Sequence, residues 1–269
     1  MSRGMSLNVG VKGLKRGTSI NDIKIPDLMR LRKSSGITWL DKALGGQGFV
    51  PSQVMMLTGM PGCGKTTFSL QLADSLTKVN NVVLYNTGEE SIYQVKMTYE
   101  RIGLKNGFII GQDIQMKDAL THLKDLKAMH PKKQIFYIQD SLQTLDDGKY
   151  NNGFTNGNTP VRCAEMICDW AKANAGIAVF IGQVTKNGEF SGKNTIKHAV
   201  DTHAHMYIDD QKKSDTYRER LFEVTKNRWG CNARTYIVGM GRNGLYDKGY
   251  IEQGELMDSD GNVVSIDEE

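Results

Sequence analysis

The sequence GMPGCGKT at positions 59–66 constrains this chain more than any other stretch, because it matches the phosphate-binding pattern G-x-x-x-x-G-K-T. Such a loop works only between a strand and a helix. The apolar run 54–57 before it favours a buried strand, and residues 67–72 after it favour a helix. An isolated match could be an ordinary glycine turn, but this context favours a site for a nucleoside triphosphate.

The residue types in this loop explain how it would hold a phosphate chain. Glycines let successive backbone N–H groups turn inward, and the following helix directs its positive end to the same place. We expect Lys65 to reach the β- and γ-phosphates and the Thr66 hydroxyl to hold Mg²⁺. The expected cofactors are therefore ATP and Mg²⁺. The predicted nucleotide-binding residues are Gly59, Met60, Pro61, Gly62, Cys63, Gly64, Lys65, Thr66 and Thr67.

Length and composition bound the class of protein. A chain of 269 residues suits one α/β domain with short appendages. It has no apolar run near eighteen residues and no apolar segment of a signal peptide, so we expect a soluble, cytoplasmic protein without membrane partners. The four cysteines include no C-x-x-C pair, which argues against a zinc ribbon or a disulfide framework.

Charge is unevenly distributed along the chain, although the net charge is only +4. Residues 1–33 carry eight Lys and Arg against two Asp, whereas residues 250–269 carry seven acidic residues and neither Lys nor Arg. A basic arm suggests a polyanionic partner, but both ends could equally be solvated and disordered. We predict a partly disordered basic arm at 1–33, one domain at 34–249, and an acidic tail at 250–269.

The apolar pattern predicts an α/β fold. Nearly continuous apolar strands at 82–85, 134–140 and 177–183 alternate with helices at 92–102, 116–129 and 160–176. This alternation is typical of a mostly parallel central sheet flanked by helices. Three later strands follow without predicted helices between them, at 206–208, 220–225 and 234–238, and we expect them to be antiparallel.

Acidic residues follow two of the predicted parallel strands, at the edge where ligand chemistry collects. Asp140 has the position of a Walker B aspartate that holds Mg²⁺, or is an ordinary acid at a strand end. Glu89 could polarise the attacking water, or could serve the N-terminus of the next helix. Ser141 follows Asp140, where ATPases of the AAA+ type place their catalytic Glu. An acid at Glu89 instead favours the RecA-like class of P-loop ATPases.

An ordered set of segments resembles the ATPase core of the RadA/Sms branch-migration helicases. Apart from the glycine loop, each segment is weak alone, but their order is specific, and the resemblance covers roughly residues 34–247. The family's zinc ribbon and Lon-protease-like domain have no counterpart here, so we expect the ATPase core only. The segments are TWLDKALGG (38–46), the glycine loop, GEES (88–91), DSLQTL (140–145), QVTK (183–186) and KNRWG (226–230).

The resemblance implies a hexameric ring with ATP bound between subunits. It makes Glu89 the catalytic glutamate and Gln183 a sensor between the γ-phosphate and DNA. It also implies that Lys226 and Arg228 act on the nucleotide of the neighbouring subunit, where a cation would stabilise the charge of phosphoryl transfer. The alternative for Lys226 and Arg228 is a solvated turn after a strand.

Two polar loops are candidates for DNA contact. Residues 146–160 and 185–198 combine Gly or Asn with lysines and aromatic residues, which are the parts of a groove for single-stranded DNA. Alone, each could be a plain solvated loop, but the resemblance favours DNA binding. The predicted DNA-binding residues are Lys149, Lys186, Phe190, Lys193 and Lys197.

The sequence therefore predicts a DNA-dependent ATPase that acts as a hexameric ring motor, a helicase or translocase of recombination, repair or replication. Two alternatives remain open: an ATP-gated DNA-binding or loading protein without translocation, and a signalling ATPase of the KaiC kind. The histidine-rich stretch 198–205 could be taken for a metal cluster. We disfavour zinc there, because a third close ligand is not assured and cysteine is absent.

Overall fold

A computed structural model describes residues 15–150, 153–183, 195–230, 234–252 and 255–262 of the chain. Ten strands in these ranges form one sheet, in the order β10-β9-β8-β7-β6-β1-β5-β4-β2-β3. The strands are β1 (Val54–Gly59), β2 (Val82–Thr87), β3 (Ile109–Gly111), β4 (Ile135–Asp140), β5 (Ile177–Gln183), β6 (Thr202–Ile208), β7 (Arg220–Asn227), β8 (Arg234–Gly241), β9 (Gly244–Glu252) and β10 (Glu255–Met257).

The pairing of the strands confirms the predicted mostly parallel sheet with antiparallel late strands. Strands β1 to β6 pair in parallel, and β7 to β10 pair antiparallel. One detail differs from the prediction. Strand β6 begins at Thr202 and is parallel to β1, because a short helix precedes it where the sequence suggested only loop.

The described ranges contain seven α-helices, of which α2 to α7 contribute buried side chains to the hydrophobic cores beside the sheet. Two of them begin at favourable residues: Ser91 and Gln94 form a capping box at α4, and Pro160 lies in the first turn of α6. The helices are α1 (Asp27–Arg30), α2 (Thr38–Ala43), α3 (Lys65–Lys78), α4 (Ile92–Arg101), α5 (Met116–Met129), α6 (Thr159–Asn174) and α7 (Thr195–Ala199).

Side chains alternate along the parallel strands and thereby build two hydrophobic cores, one on each face of the sheet. In β1, Met55 and Leu57 pack on the face with α2, α3 and α4, whereas Val54 and Met56 pack on the face with α5, α6 and α7. Burial on both faces explains why these strands have nearly continuous apolar sequences.

The ends of the chain differ from the predicted domain boundaries. Strand β9 continues through the buried Tyr250, and β10 pairs with it, so the sheet extends to Met257. Residues 250–252 and 255–257 are therefore part of the sheet and not of an acidic tail. At the other end, Lys33 pairs with Phe49 through an isolated bridge. No helix within the described ranges is long and apolar enough to span a bilayer.

Candidate functional site

The glycine loop joins the carboxyl end of β1 to the start of α3, as the sequence predicts. Gly64 has φ +98°, and a Cβ atom there would come within 2.8 Å of Cε of Met240. At Gly59 a Cβ atom would collide with the carbonyl oxygen of Met206. Glycine is therefore required at both positions by the backbone and by its close neighbours. All nine predicted nucleotide-binding residues lie in this loop and the first turn of α3.

The Lys65 ammonium is held across the loop. Its Nζ donates hydrogen bonds to the carbonyl oxygens of Gly59 at 2.7 Å and Met60 at 2.9 Å. Oxygens of a bound phosphate chain would replace these carbonyls as acceptors at little geometric cost. The Cys63 side chain points inward instead, and burial raises the pKa of its thiol.

A second cation that sequence reasoning missed lies beside the loop. Arg220, the first residue of β7, donates from Nε to the carbonyl oxygen of Cys63 at 2.5 Å. The same nitrogen would lie 3.5 Å from a Cβ atom at Gly64. Arg220 is 157 positions from Cys63 along the chain. An arginine at the start of a strand matches no sequence motif for nucleotide binding, so the sequence did not predict this contact. Only the pairing of β7 with β6 brings it to the loop.

Asp140 lies against the start of α3, where the predicted Mg²⁺ site requires it. Its Oδ2 accepts hydrogen bonds from Thr66 Oγ1 at 2.9 Å and from Tyr85 Oη at 3.0 Å. The carboxyl is 5% exposed, so it is not an ordinary solvated acid at a strand end. Hydroxyl and carboxylate oxygens are the ligands that Mg²⁺ prefers, so Thr66 and Asp140 fit this ion.

Burial raises the pKa of Asp140 to about 6. The hydrogen bonds from Thr66 and Tyr85 act in the opposite direction, and the nearby charges of Glu89 and Glu90 raise the pKa further. The site thus holds a concentrated negative charge that water does not solvate. Such a charge favours the binding of a divalent cation.

Glu89 lies beside Asp140 at the ends of two paired strands. Thr87 of β2 is opposite Asp140 of β4, and the Gly88 N–H donates to the Asp140 carbonyl at 2.8 Å. Ser141 Oγ donates to Glu89 Oε1. Because the capping box of α4 is formed by other residues, Glu89 is not the N-cap. Its charge contributes to the raised pKa of Asp140, so the two carboxyl groups lie close together.

Two further predicted residues, Gln183 and Lys226, lie towards opposite ends of the central strands. Gln183 ends β5 and is in register with Gly59, so it reaches the edge that carries the loop. Lys226 pairs with His203, which pairs with Met56, three residues before Gly59 on β1. Three residues of strand span about 10 Å. Lys226 therefore lies away from the nucleotide site of its own chain.

Lys226 and Arg228 hold the end of α7. Lys226 Nζ donates to three carbonyl oxygens there, at 2.7 to 3.2 Å, and Arg228 donates to Asp201 Oδ1 at 3.1 Å. Burial lowers the pKa of Lys226. Both cations therefore make specific contacts with α7 and Asp201, although the Arg228 side chain stays 48% exposed.

Comparisons with known proteins agree with this arrangement. A family model described as "ATPase: KaiC" matches residues 33–147. The DNA repair protein RadA of Haemophilus influenzae is 30% identical over 227 residues, which are 84% of this chain and 46% of that protein. RadA of Mycobacterium tuberculosis is 33% identical over 202 residues, 73% of this chain and 39% of that protein.

This chain resembles the ATPase core of the RadA proteins. It spans less than half the length of these relatives. A solved structure of a DnaB-like replicative helicase superposes with a TM-score of 0.68, at 16% identity, over 79% of this chain and 61% of that one. A separately solved ATPase domain superposes with the same TM-score and identity over 82% of this chain and 93% of that one. The RecA-like fold predicted from the sequence is thereby confirmed.

The predicted DNA-binding residues of this RadA-like core are only partly described. Lys149 lies 5.9 Å from the ring centre of Tyr150, in a loop that follows β4, and Phe154 of the same loop is 71% exposed. Lys197 lies in α7 and not in a loop. Lys186, Phe190 and Lys193 lie outside the described residues.

The histidine-rich stretch forms a hydrogen-bond network around Thr58, the residue before the glycine loop. Thr58 Oγ1 lies 2.8 Å from His203 Nε2 and 2.9 Å from His205 Nδ1. His203 also contacts Thr225 Oγ1, and burial lowers the pKa of His203 to about 4. Within the described ranges no three His, Cys, Asp or Glu side chains are grouped as metal ligands.

Proposed function

We propose that this chain is a Mg²⁺-dependent ATPase that DNA stimulates and that works as a hexameric ring motor on single-stranded or branched DNA. The processes it would serve are recombination, repair or replication. One observation carries the proposal: Thr66, Asp140 and Glu89 converge in front of the glycine loop although they come from three separate elements. The resemblance to RadA supports the DNA substrate.

Each residue at this edge has a definite task in the proposed reaction. Lys65 would transfer its hydrogen bonds from the loop carbonyls to the β- and γ-phosphates. Thr66 and Asp140 would hold Mg²⁺, which supplies charge neutralisation of the phosphates when bound. Glu89 would accept a proton from the attacking water, with Ser141 fixing the orientation of its carboxyl.

The neighbouring subunit would complete the site. Because Lys226 and Arg228 lie away from their own glycine loop, they could reach a γ-phosphate only on another copy. A cation supplied in trans is a common means of stabilising the charge of phosphoryl transfer. Gln183 and the two segments predicted to bind DNA, 146–160 and 185–198, would couple the state of that γ-phosphate to DNA in the ring.

The decisive experiment measures ATP hydrolysis with and without single-stranded DNA, for wild type, Lys65→Ala and Glu89→Gln. We expect DNA stimulation in wild type and loss of turnover in both variants. Lys78→Ala is the matched control, because Lys78 is exposed in the last turn of the same helix. Turnover that persists in Glu89→Gln would refute its role as general base.

The KaiC-type match to residues 33–147 favours a second candidate, a signalling ATPase. That protein would hydrolyse ATP at the same rate with and without DNA, with the same loss in both variants. A DNA-loading protein would instead show DNA-stimulated hydrolysis but no strand displacement. A helicase assay on a forked duplex therefore separates the loader from the motor.

A further inference from the structure

The ladder between β6 and β7 contains a β-bulge beside Lys226. Ala204 pairs with Val224 in the regular part of the ladder. His203 pairs with Lys226, so Thr225 is an extra residue on β7. At a bulge two residues of one strand oppose a single residue of its partner, and bulges of this kind re-aim a side chain next to an active site.

The bulge decides on which face of the sheet Lys226 lies. Val224 packs into the hydrophobic core that contains α2, α3 and α4. In a regular strand Lys226 would share that face, because side chains two residues apart project in the same direction. Lys226 instead donates to three carbonyl oxygens at the end of α7, on the opposite face. The extra residue therefore turns Lys226 towards α7.

The buried ring of His203 joins the bulge to a neighbouring strand. Its Nε2 lies 2.8 Å from Thr58 Oγ1 on β1, and its Nδ1 contacts Thr225 Oγ1 in the bulge. Burial and the charge of Lys197 lower the pKa of His203 to about 4, so the ring is neutral near pH 7. A neutral ring donates from one nitrogen and accepts at the other, and a hydroxyl can serve as partner to either.

These contacts extend from the bulge to the start of the glycine loop. Thr58 lies on β1 directly before Gly59 and is 1% exposed. The three paired strands β1, β6 and β7 are thus linked by side chains as well as by their backbone ladders. Buried polar networks whose members are satisfied make a structure more rigid. The bulge is therefore held at a fixed position relative to the glycine loop.

We propose that His203 is a positioning residue for Lys226. Its ring, held between Thr58 and Thr225, fixes the bulge that keeps Lys226 on the α7 side of the sheet. The catalytic part of this inference rests on the proposed function, in which Lys226 acts on the nucleotide of the neighbouring subunit. The dependence of the contacts between Lys226 and α7 on His203 does not rest on it.

Hydrogen exchange of α7, followed by mass spectrometry, tests the positioning without requiring turnover. Lys226→Met provides the reference: amides of residues 195–200 should exchange about tenfold faster than in wild type, the effect of about one charged hydrogen bond. His203→Phe should reproduce this increase. Phe fills the space of the ring, and the Thr58 hydroxyl keeps the Ala204 carbonyl as an acceptor at 3.3 Å.

Two variants at the exposed Thr225 test the other side of the contact. Thr225→Val removes the hydroxyl from the bulge and should raise exchange in the same segment. Thr225→Ser keeps the hydroxyl and should exchange like wild type. Because position 225 is exposed, neither change creates a cavity in the core, and circular dichroism verifies that all variants are folded.

His205→Phe is the matched control. His205 contacts Thr58 Oγ1 at 2.9 Å from the same strand, but it pairs with Glu223, outside the bulge. Its variant should therefore exchange like wild type. In His203→Phe/Lys226→Met, exchange should be no faster than in Lys226→Met alone, because both changes remove the same contacts.

Steady-state kinetics tests the catalytic part. His203→Phe should lower kcat to the level of Lys226→Met and leave the KM for ATP unchanged, because each subunit still binds ATP at its own glycine loop. The proposal is overturned if α7 of His203→Phe exchanges like wild type, if His205→Phe gives the same increase, if the double variant exceeds Lys226→Met, or if His203→Phe keeps the wild-type kcat. A wild type without turnover would instead refute the proposed function, and the exchange rates would still decide the positioning.

Discussion

Replacing Asp140 with Asn should stabilise the nucleotide-free protein while disabling its Mg²⁺ site. The Asp140 carboxyl is almost fully buried, and its pKa is raised from 3.8 to about 6. Its ionised form is therefore less favourable in the folded protein than in the unfolded chain. Asn keeps an oxygen for the hydrogen bonds from Thr66 and Tyr85 but carries no charge.

The magnitude follows from the pKa difference. About two pKa units correspond to about 3 kcal/mol of unfolding free energy, at 1.36 kcal/mol per unit. Because the pKa of Asp140 is higher in the folded state, its cost is absent below about pH 4, grows as the pH rises, and is complete above about pH 6. The gain in Asp140→Asn should follow the same course.

Urea unfolding at pH 4, 5 and 7 measures this gain directly. We expect Asp140→Asn to be more stable than wild type at pH 7 and nearly equal to it at pH 4. Asp125→Asn, at an exposed position on α5, is the control and should change little. A variant that is less stable at pH 7, or a gain that does not vary with pH, would refute the reasoning. Added Mg²⁺ and ADP should stabilise wild type but not Asp140→Asn.

Two further predictions concern cations of strand β7. Arg220→Gln should weaken ADP binding by calorimetry about tenfold, because a charged hydrogen bond to the Cys63 carbonyl is lost beside the phosphates, whereas the exposed Arg218→Gln should bind like wild type. Lys226→Met should retain ADP affinity. When variant and wild-type subunits are mixed, ATP turnover should fall by more than the fraction of variant subunits in the mixture. An ADP affinity that falls as in a Lys65 variant would instead place Lys226 in its own site.

The sequence predicted those parts of the site that depend on contiguous residues. The glycine loop, its strand and its helix follow one another directly along the chain. A pattern of contiguous residues is therefore enough to predict the geometry of this part of the site. Asp140 and Glu89 were also placed correctly, because the carboxyl ends of parallel strands must meet at one edge. Their chemical roles stay predictions until turnover of the variants is measured.

What the sequence could not predict depends on side chains that meet only in the folded sheet. Tyr85 looked like one more apolar residue of β2, yet its hydroxyl holds Asp140. Arg220 looked like a charge at a strand start, yet it contacts the glycine loop. The sequence disfavoured a metal at the histidine-rich stretch but did not predict Thr58, which lies on another strand and contacts one ring nitrogen each of His203 and His205.

Strand β7 connects the two cationic sites that the proposed mechanism needs. It begins with Arg220 at the glycine loop of its own chain and ends at Asn227, beside Lys226 at the opposite edge of the sheet. In a ring, one end of β7 would contact the nucleotide of its own subunit and the other end that of the neighbour. Because β7 is paired with β6 on one side and β8 on the other, its two ends are held in fixed relation to each other. The Lys226 contacts with α7 extend the same connection to Lys197, one of the residues proposed to bind DNA.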